Sequence, residues 1–256
     1  MMKTILVTGA AQGMGAAVAL SLLEDGHRII GLDRQAHPEQ WEIEQTLTDE
    51  LRARWLGIAQ DISQQGSTST LVDDLIEQYD LDALVNAAGI LKMTTLLDAQ
   101  AQDWQDSFAV NVLAPIHLSQ QCAKHFCQKR QGAIVTISSN SARMPRLNLG
   151  LYATTKAALS HYCRNLALEV APYGVRVNVI SPGSTLTQMQ KQLWSSDEPP
   201  ASILTGDLSQ FRTGIPLGKM AEAQDIAHAV RFFLSEQAAQ ITMQELVIDG
   251  GATLGV

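Results

Sequence analysis

The chain has 256 residues, a 46% apolar composition and a formal net charge of −8 at pH 7, enough for one α/β domain (1–256) with a sizeable core. That charge argues against a nucleic-acid partner, and the absence of any apolar run near ~18 residues argues against a membrane span. Met1-Met2-Lys3 leads into an apolar stretch without a signal-peptide pattern, and Cys122, Cys127 and Cys163 lack metal-ligand spacing, so a cytoplasmic protein with reduced thiols and no metal site is expected.

The first element is a β-branched strand, residues 3–8, followed at once by Gly9-Ala10-Ala11-Gln12-Gly13-Met14-Gly15 and a helical pattern over 14–25. Strand, glycine loop and helix in that order make a cradle for a pyrophosphate, because glycine permits close backbone approach and the helix N-terminus presents free amides. The spacing is Gly-x-x-x-Gly-x-Gly rather than the commoner Gly-x-Gly-x-x-Gly. A second strand, 28–33, ends in Asp33, whose carboxylate can accept from both ribose hydroxyls of NAD and repel a 2′-phosphate; Arg34 softens that repulsion. Residues 35–54, polar but followed by Trp55 and containing Trp41, read as a loop with a short helix near the adenine end.

Further strands are predicted at 55–59, 82–86, 133–138, 175–180 and 245–248, with helices at 67–79, 101–127, 152–170 and 222–235. Alternation of this kind predicts a Rossmann-type doubly wound parallel sheet of about seven strands with helices on both faces. Right-handed crossovers then bring Gly9, Asp33, Asn86, Ser139 and Pro182 to one rim.

Between the fifth and sixth strands stand Ser139, Tyr152 and Lys156. Residues i and i+4 share a helix face, so Lys156 can lie beside the Tyr152 phenol and lower its pKa, which makes an acid/base device for an alcohol or ketone. Tyr-x-x-x-Lys taken alone is equally a helix opening by chance. Arg146, in the loop before Tyr152, is placed to hold a substrate carboxylate, although loop arginines are usually just solvated. From Ser184 to Gly214 a long connection carries Met189, Leu193, Trp194, Ile203, Leu204 and Phe211. It reads as a substrate lid over the rim (184–214) or as the packing of a helical hairpin.

Taken together, Thr8-Gly9-x-x-x-Gly13-x-Gly15, Asp61-Ile62, Asn86-Ala87-Ala88-Gly89, Asn111, Ser139, Tyr152-x-x-x-Lys156 and Pro182-Gly183 resemble the short-chain dehydrogenase/reductase family across essentially the whole chain. The resemblance implies a catalytic tetrad of Asn111, Ser139, Tyr152 and Lys156, in which Asn111 anchors a water that links Lys156 to solvent. It also implies that NAD is held by Gly9, Gln12, Gly13, Met14, Gly15, Asp33, Asp61, Ile62, Asn86, Ala87, Gly89, Tyr152, Lys156, Pro182, Gly183, Thr185 and Thr187. Thr154-Thr155 departs from the frequent Ala-Ser before the lysine but retains a hydroxyl.

Within the family, Met189-Gln190-x-x-Leu193-Trp194 and Gly214-Ile215-Pro216-Leu217-Gly218-Lys219 resemble members that act on a cyclohexadiene diol carboxylate. Substrate contacts are accordingly expected from Ser139, Arg146, Met189, Gln190 and Trp194. A 3-oxoacyl-carrier or other secondary-alcohol reductase is the alternative within enzymes, and a non-catalytic dinucleotide sensor the alternative outside them. Kinship further implies a homo-oligomer, a tetramer by preference.

Overall fold

A computed structural model describes residues 2–194 and 198–255. Seven parallel strands form one sheet in the order β3-β2-β1-β4-β5-β6-β7. They are β1 (Thr4–Thr8), β2 (Arg28–Asp33), β3 (Trp55–Ala59), β4 (Ala83–Asn86), β5 (Gly132–Ile137), β6 (Val175–Pro182) and β7 (Glu245–Ile248). β1 and β4 are buried along their whole length, because a parallel sheet covered on both faces favours continuous apolar runs over alternation.

Helices cover both faces. Against one lie α1 (Gly13–Glu24) and, from the far end of the chain, Ala223–Leu234; their Val18, Leu22, Val230 and Phe233 pack on Ile5, Val7 and Val135. Against the other lie α2 (Gln65–Tyr79), α4 (Ala114–Lys129) and α5 (Gly150–Val170), which bury Val72, Phe126 and Leu159 on Leu6, Leu84 and Ile134. The chain reverses its winding between β1 and β4, and such a switch point opens a crevice at the carboxyl ends of the strands.

Residues 101–127, predicted as one helix, are interrupted. α3 (Ala101–Phe108) runs into a widened π turn at Ala109–Leu113 before α4 begins. Pro115 marks the interruption, since it has no amide to donate to the carbonyl of Asn111 four residues back. The excursion at 35–54 is also more ordered than its composition suggests. It folds as two 3-10 turns and a helical turn, and Trp41 is buried with its ring 6.2 Å from that of Trp55 at 68°. Trp55 lies over Gly31 of β2, where an added Cβ would stand 2.2 Å from the indole.

The glycine loop closes as tightly as its spacing implies. Gly9 has φ +69°, and a Cβ on Gly15 would sit 2.0 Å from the Gly9 carbonyl oxygen. Gly15→Ala should therefore force the loop apart, costing on the order of 1–3 kcal/mol in stability. NAD titration of that variant should show binding weakened about tenfold or more; unchanged binding would mean that the loop can open without loss.

Candidate active site

Two adjoining cavities, of about 460 and 220 Å³, lie along the carboxyl rim. The larger is walled by Gly9, Gln12, Gly13, Met14, Gly15, Asp33, Asp61, Ile62, Ala87, Gly89 and Thr187, eleven of the residues expected around the cofactor. Tyr152, Pro182, Gly183 and Thr185 belong to the smaller cavity, and Met14, Thr187 and Met189 border both. The two are thus lobes of one groove.

Asp33, at the end of β2, accepts hydrogen bonds from the amides of Ala11 (3.2 Å) and Gln35 (3.1 Å), so the carboxylate also braces the glycine loop. A second acid lies beside it that sequence reasoning missed. The Gly13 amide donates to Glu42 Oε2 at 3.0 Å, and the Glu42 amide donates to the Ala11 carbonyl at 2.8 Å. Trp41 next to it, an isolated aromatic in a polar segment, was the available signal that this segment docks.

Asn86 does not reach the groove. Its side chain is buried in the sheet and donates to Ser119 (3.0 Å) and Thr136 (3.2 Å), which makes it a brace beneath the cofactor lobe rather than a wall of it. Asn111, on the π turn, brackets the backbone of Ile90: Oδ1 accepts from the Ile90 amide at 2.8 Å and Nδ2 donates to the Ile90 carbonyl at 2.9 Å. Nδ2 also donates to Thr155 Oγ1 at 3.1 Å, a use for the hydroxyl at that departure from the family pattern. The side chain is therefore occupied in holding the turn. A Cβ on Gly89 would lie 3.3 Å from Asn111 Oδ1 and 3.4 Å from Lys156 Nζ, so both side chains converge on this glycine.

Ser139 follows β5, Tyr152 and Lys156 open α5, and the helix places the two on one face as the i, i+4 spacing predicts. Their electrostatics depart from expectation. Lys156 is buried, its Nζ donates to the Ile137 carbonyl at 3.0 Å and lies 5.7 Å from the centre of the Tyr152 ring. Burial lowers its pKa to about 8. Burial likewise pushes the Tyr152 phenol up to about 12, against a hydrogen bond with Ser139 that pulls it down. Without a bound cofactor, the lysine does not make the phenol acidic. The reason is geometric: its ammonium is directed to a backbone carbonyl beneath the ring. Ser139 Oγ is in turn 2.8 Å from Ser141 Oγ and accepts from the Ser141 amide at 3.2 Å, which fixes its position in the smaller lobe.

Arg146, Met189, Gln190, Leu193 and Ile203 line the smaller lobe with Ser139 and Tyr152. Trp194 does not. It packs against the cluster Ile203, Ile215, Met220 and Ala252, most of it outside the segment, while Leu208 and Phe211 face outward at 92% and 85% exposure. Met189, Leu193 and Ile203 of the 184–214 segment thus line the groove, while Trp194 ties the segment to Ile215, Met220 and Ala252 outside it. Residues 195–197 of it lie outside those described. No group of three or more His, Cys, Asp or Glu able to hold a metal occurs among the described residues.

A parallel seven-stranded sheet, a glycine loop at its switch point, and a serine and tyrosine lining the adjoining lobe with a lysine buried behind the tyrosine define a dinucleotide-dependent oxidoreductase. The chain belongs to the short-chain dehydrogenase/reductase family: the family described as enoyl-(acyl carrier protein) reductase matches residues 9–253. Among curated relatives, 2,3-dihydro-2,3-dihydroxybenzoate dehydrogenase of Escherichia coli is 42% identical over 99% of this chain and 98% of its own. The protein of that name from Bacillus subtilis is 38% identical, covering 99% and 97%. A solved structure, 4-hydroxyisoleucine dehydrogenase complexed with NADH, is 30% identical and superposes with a TM-score of 0.87 over 99% of this chain and 100% of that one.

Proposed function

We propose that the protein oxidises 2,3-dihydro-2,3-dihydroxybenzoate to 2,3-dihydroxybenzoate with NAD, a step in making catechol siderophores. The observation that carries the reading is the smaller lobe, where Tyr152 and Ser139 share a wall with the basic side chain of Arg146. The relatives named above support it. The residues of the larger lobe fit a dinucleotide: the close-packed glycine loop at the N-terminus of α1, Asp33 at the end of β2, and the Asp61-Ile62 pair in the same lining. When bound, NAD supplies a hydride acceptor and the positive charge of its oxidised ring.

In this mechanism Tyr152 takes the proton from the C3 hydroxyl of the diol as hydride leaves C3. Ser139 orients the same oxygen and, through its hydrogen bond to the phenol, favours the ionised form. Lys156 keeps a positive charge beneath the ring, 5.7 Å from its centre, where it stabilises the phenolate as charge develops. Asn111 holds the widened turn that sets this corner. The ketone then enolises to the aromatic catechol, and aromaticity makes the overall oxidation effectively one-way. Segment 184–214 acts as the lid, and the active form is a homo-oligomer of the tetrameric kind expected for the family, acting in the cytoplasm. No helix among the described residues is long and apolar enough to cross a membrane.

Appearance of NADH absorbance on mixing the protein with NAD and the dihydrodiol acid tests the reading. Its absence, together with NADPH consumption on an acetoacetyl thioester, would replace it with the carrier-reductase alternative. Cofactor choice is tested separately. Asp33→Asn retains an oxygen for the Ala11 amide but removes the charge, so NADP turnover should rise about tenfold or more relative to NAD. An unchanged ratio would mean that the Asp33 charge does not set the preference.

A further inference from the structure

Arg146 is not the only guanidinium at the substrate lobe. Arg212, 66 positions further along, lines the same cavity, and the Arg146 guanidinium is held below its ordinary range by burial first and by repulsion from Arg212 second. Both are partly buried, and neither makes a salt bridge or a side-chain hydrogen bond among the described residues. Two like charges at one cavity, partly buried and without a direct ion pair, repel each other until an anion comes between them.

The nearby acids are already committed. Asp249 attracts Arg146 only at a distance; its oxygens accept from Asn140 Nδ2 (3.2 Å) and from the amides of Gly251 and Thr253 (2.9 Å each). Asp207, beside Arg212, attracts it without a direct ion pair, its carboxylate accepting instead from the Ser209 amide at 2.9 Å and its hydroxyl at 2.6 Å. Arg212 is meanwhile fixed by its backbone, which exchanges two hydrogen bonds of 2.9 Å with Asp207 across a tight turn. A rigid backbone holding an unpaired planar donor is a preorganised anion receptor, and guanidinium forks match carboxylate oxygens two by two.

We infer that Arg146 and Arg212 form a two-armed clamp for the carboxylate of the substrate, with Arg212 as the arm that selects an acid over a neutral diol. The inference rests on the dehydrogenase reading for the identity of the acid but not for the existence of the clamp. An anion between the arms turns their repulsion into two attractions. It also fixes the ring that carries the carboxylate relative to Tyr152 and Ser139 in the same lobe.

The test compares wild type, Arg212→Ala and Arg212→Lys on 2,3-dihydro-2,3-dihydroxybenzoate and on the same diol lacking its carboxylate. It adds calorimetric titration with 2,3-dihydroxybenzoate, benzoate and inorganic phosphate. For Arg212→Ala, kcat/KM on the acid should fall about 30-fold or more, chiefly through KM, with no change on the neutral diol, in NAD affinity or in Tm. Arg212→Lys should recover part of the loss. An equal loss on both diols, or unchanged affinity of Arg212→Ala for 2,3-dihydroxybenzoate and benzoate, overturns the clamp. Phosphate binding as tightly as benzoate overturns its assignment to a carboxylate. Should wild type fail to oxidise the dihydrodiol acid while benzoate binding still depends on Arg212, the clamp stands and the dehydrogenase reading falls.

Discussion

Tyr152→Phe should abolish NADH formation and leave NAD affinity within a factor of about two. The ring keeps its place beside Lys156 and its packing in the smaller lobe, and only the hydroxyl that meets Ser139 is lost. Positioned acid/base groups contribute roughly 10²–10⁴-fold, so a turnover loss of about 10³-fold is expected. A stopped-flow trace with saturating NAD and the dihydrodiol acid reads the chemistry, and a fluorescence titration with NADH reads binding. A variant that turned over at near wild-type rate would remove Tyr152 from the mechanism. Since the phenol of the cofactor-free site is held up at about 12, wild-type turnover should climb with pH through the neutral range. The same climb should be absent from any residual rate of Tyr152→Phe.

Replacing Lys156 by Met should separate stability from activity. The wild-type ammonium is buried, and burial lowers its pKa from the ordinary lysine value to about 8, so between pH 8 and 10.5 the unfolded chain binds more protons than the folded one. Stability contributed by this group therefore rises with pH across that window, and below pH 8 the charged, buried form is a standing cost of about 3 kcal/mol. Met removes that cost but leaves the Ile137 carbonyl without its donor, a loss of about 1 kcal/mol. The cofactor-free Lys156→Met protein should accordingly melt several degrees higher at pH 7, lose the pH 8–10.5 rise, and show turnover reduced by about 10²-fold or more. Melting curves at pH 7 and pH 10 measure it. A lower Tm at pH 7 would mean that the bond to Ile137 outweighs the desolvation.

These two residues also mark where sequence reasoning reached its limit. The i, i+4 rule placed Tyr152 and Lys156 on one face, yet a face does not specify where a four-carbon chain ends, and the ammonium met a backbone carbonyl of β5. The strands were legible because parallel strands covered on both sides are uninterrupted apolar runs, so Ile5, Leu6 and Val7 declare themselves. The break at 109–113 was less so: Pro115 signals an interruption, but only the tertiary partners of Asn111, Ile90 and Thr155, explain a widened turn. Glu42 and Arg212 were invisible for one shared reason. Each is an ordinary charged residue in a polar segment, brought to the groove by distant contacts: Trp41 against Trp55 for one, the Asp207–Arg212 turn for the other. Trp194, aromatic and close to the groove in sequence, was drawn instead into a small cluster with Ile203, Ile215, Met220 and Ala252.

The double service of Asp33 narrows the routes by which this enzyme could exchange one coenzyme for another. Lysine or arginine there would welcome a phosphorylated ribose, yet would strip the Ala11 and Gln35 amides of their acceptor and unfasten the very turn the coenzyme needs. A lineage drifting toward the phosphorylated form would have to pass through a short neutral acceptor first and gather its cations from neighbouring positions, Arg34 being the nearest to hand.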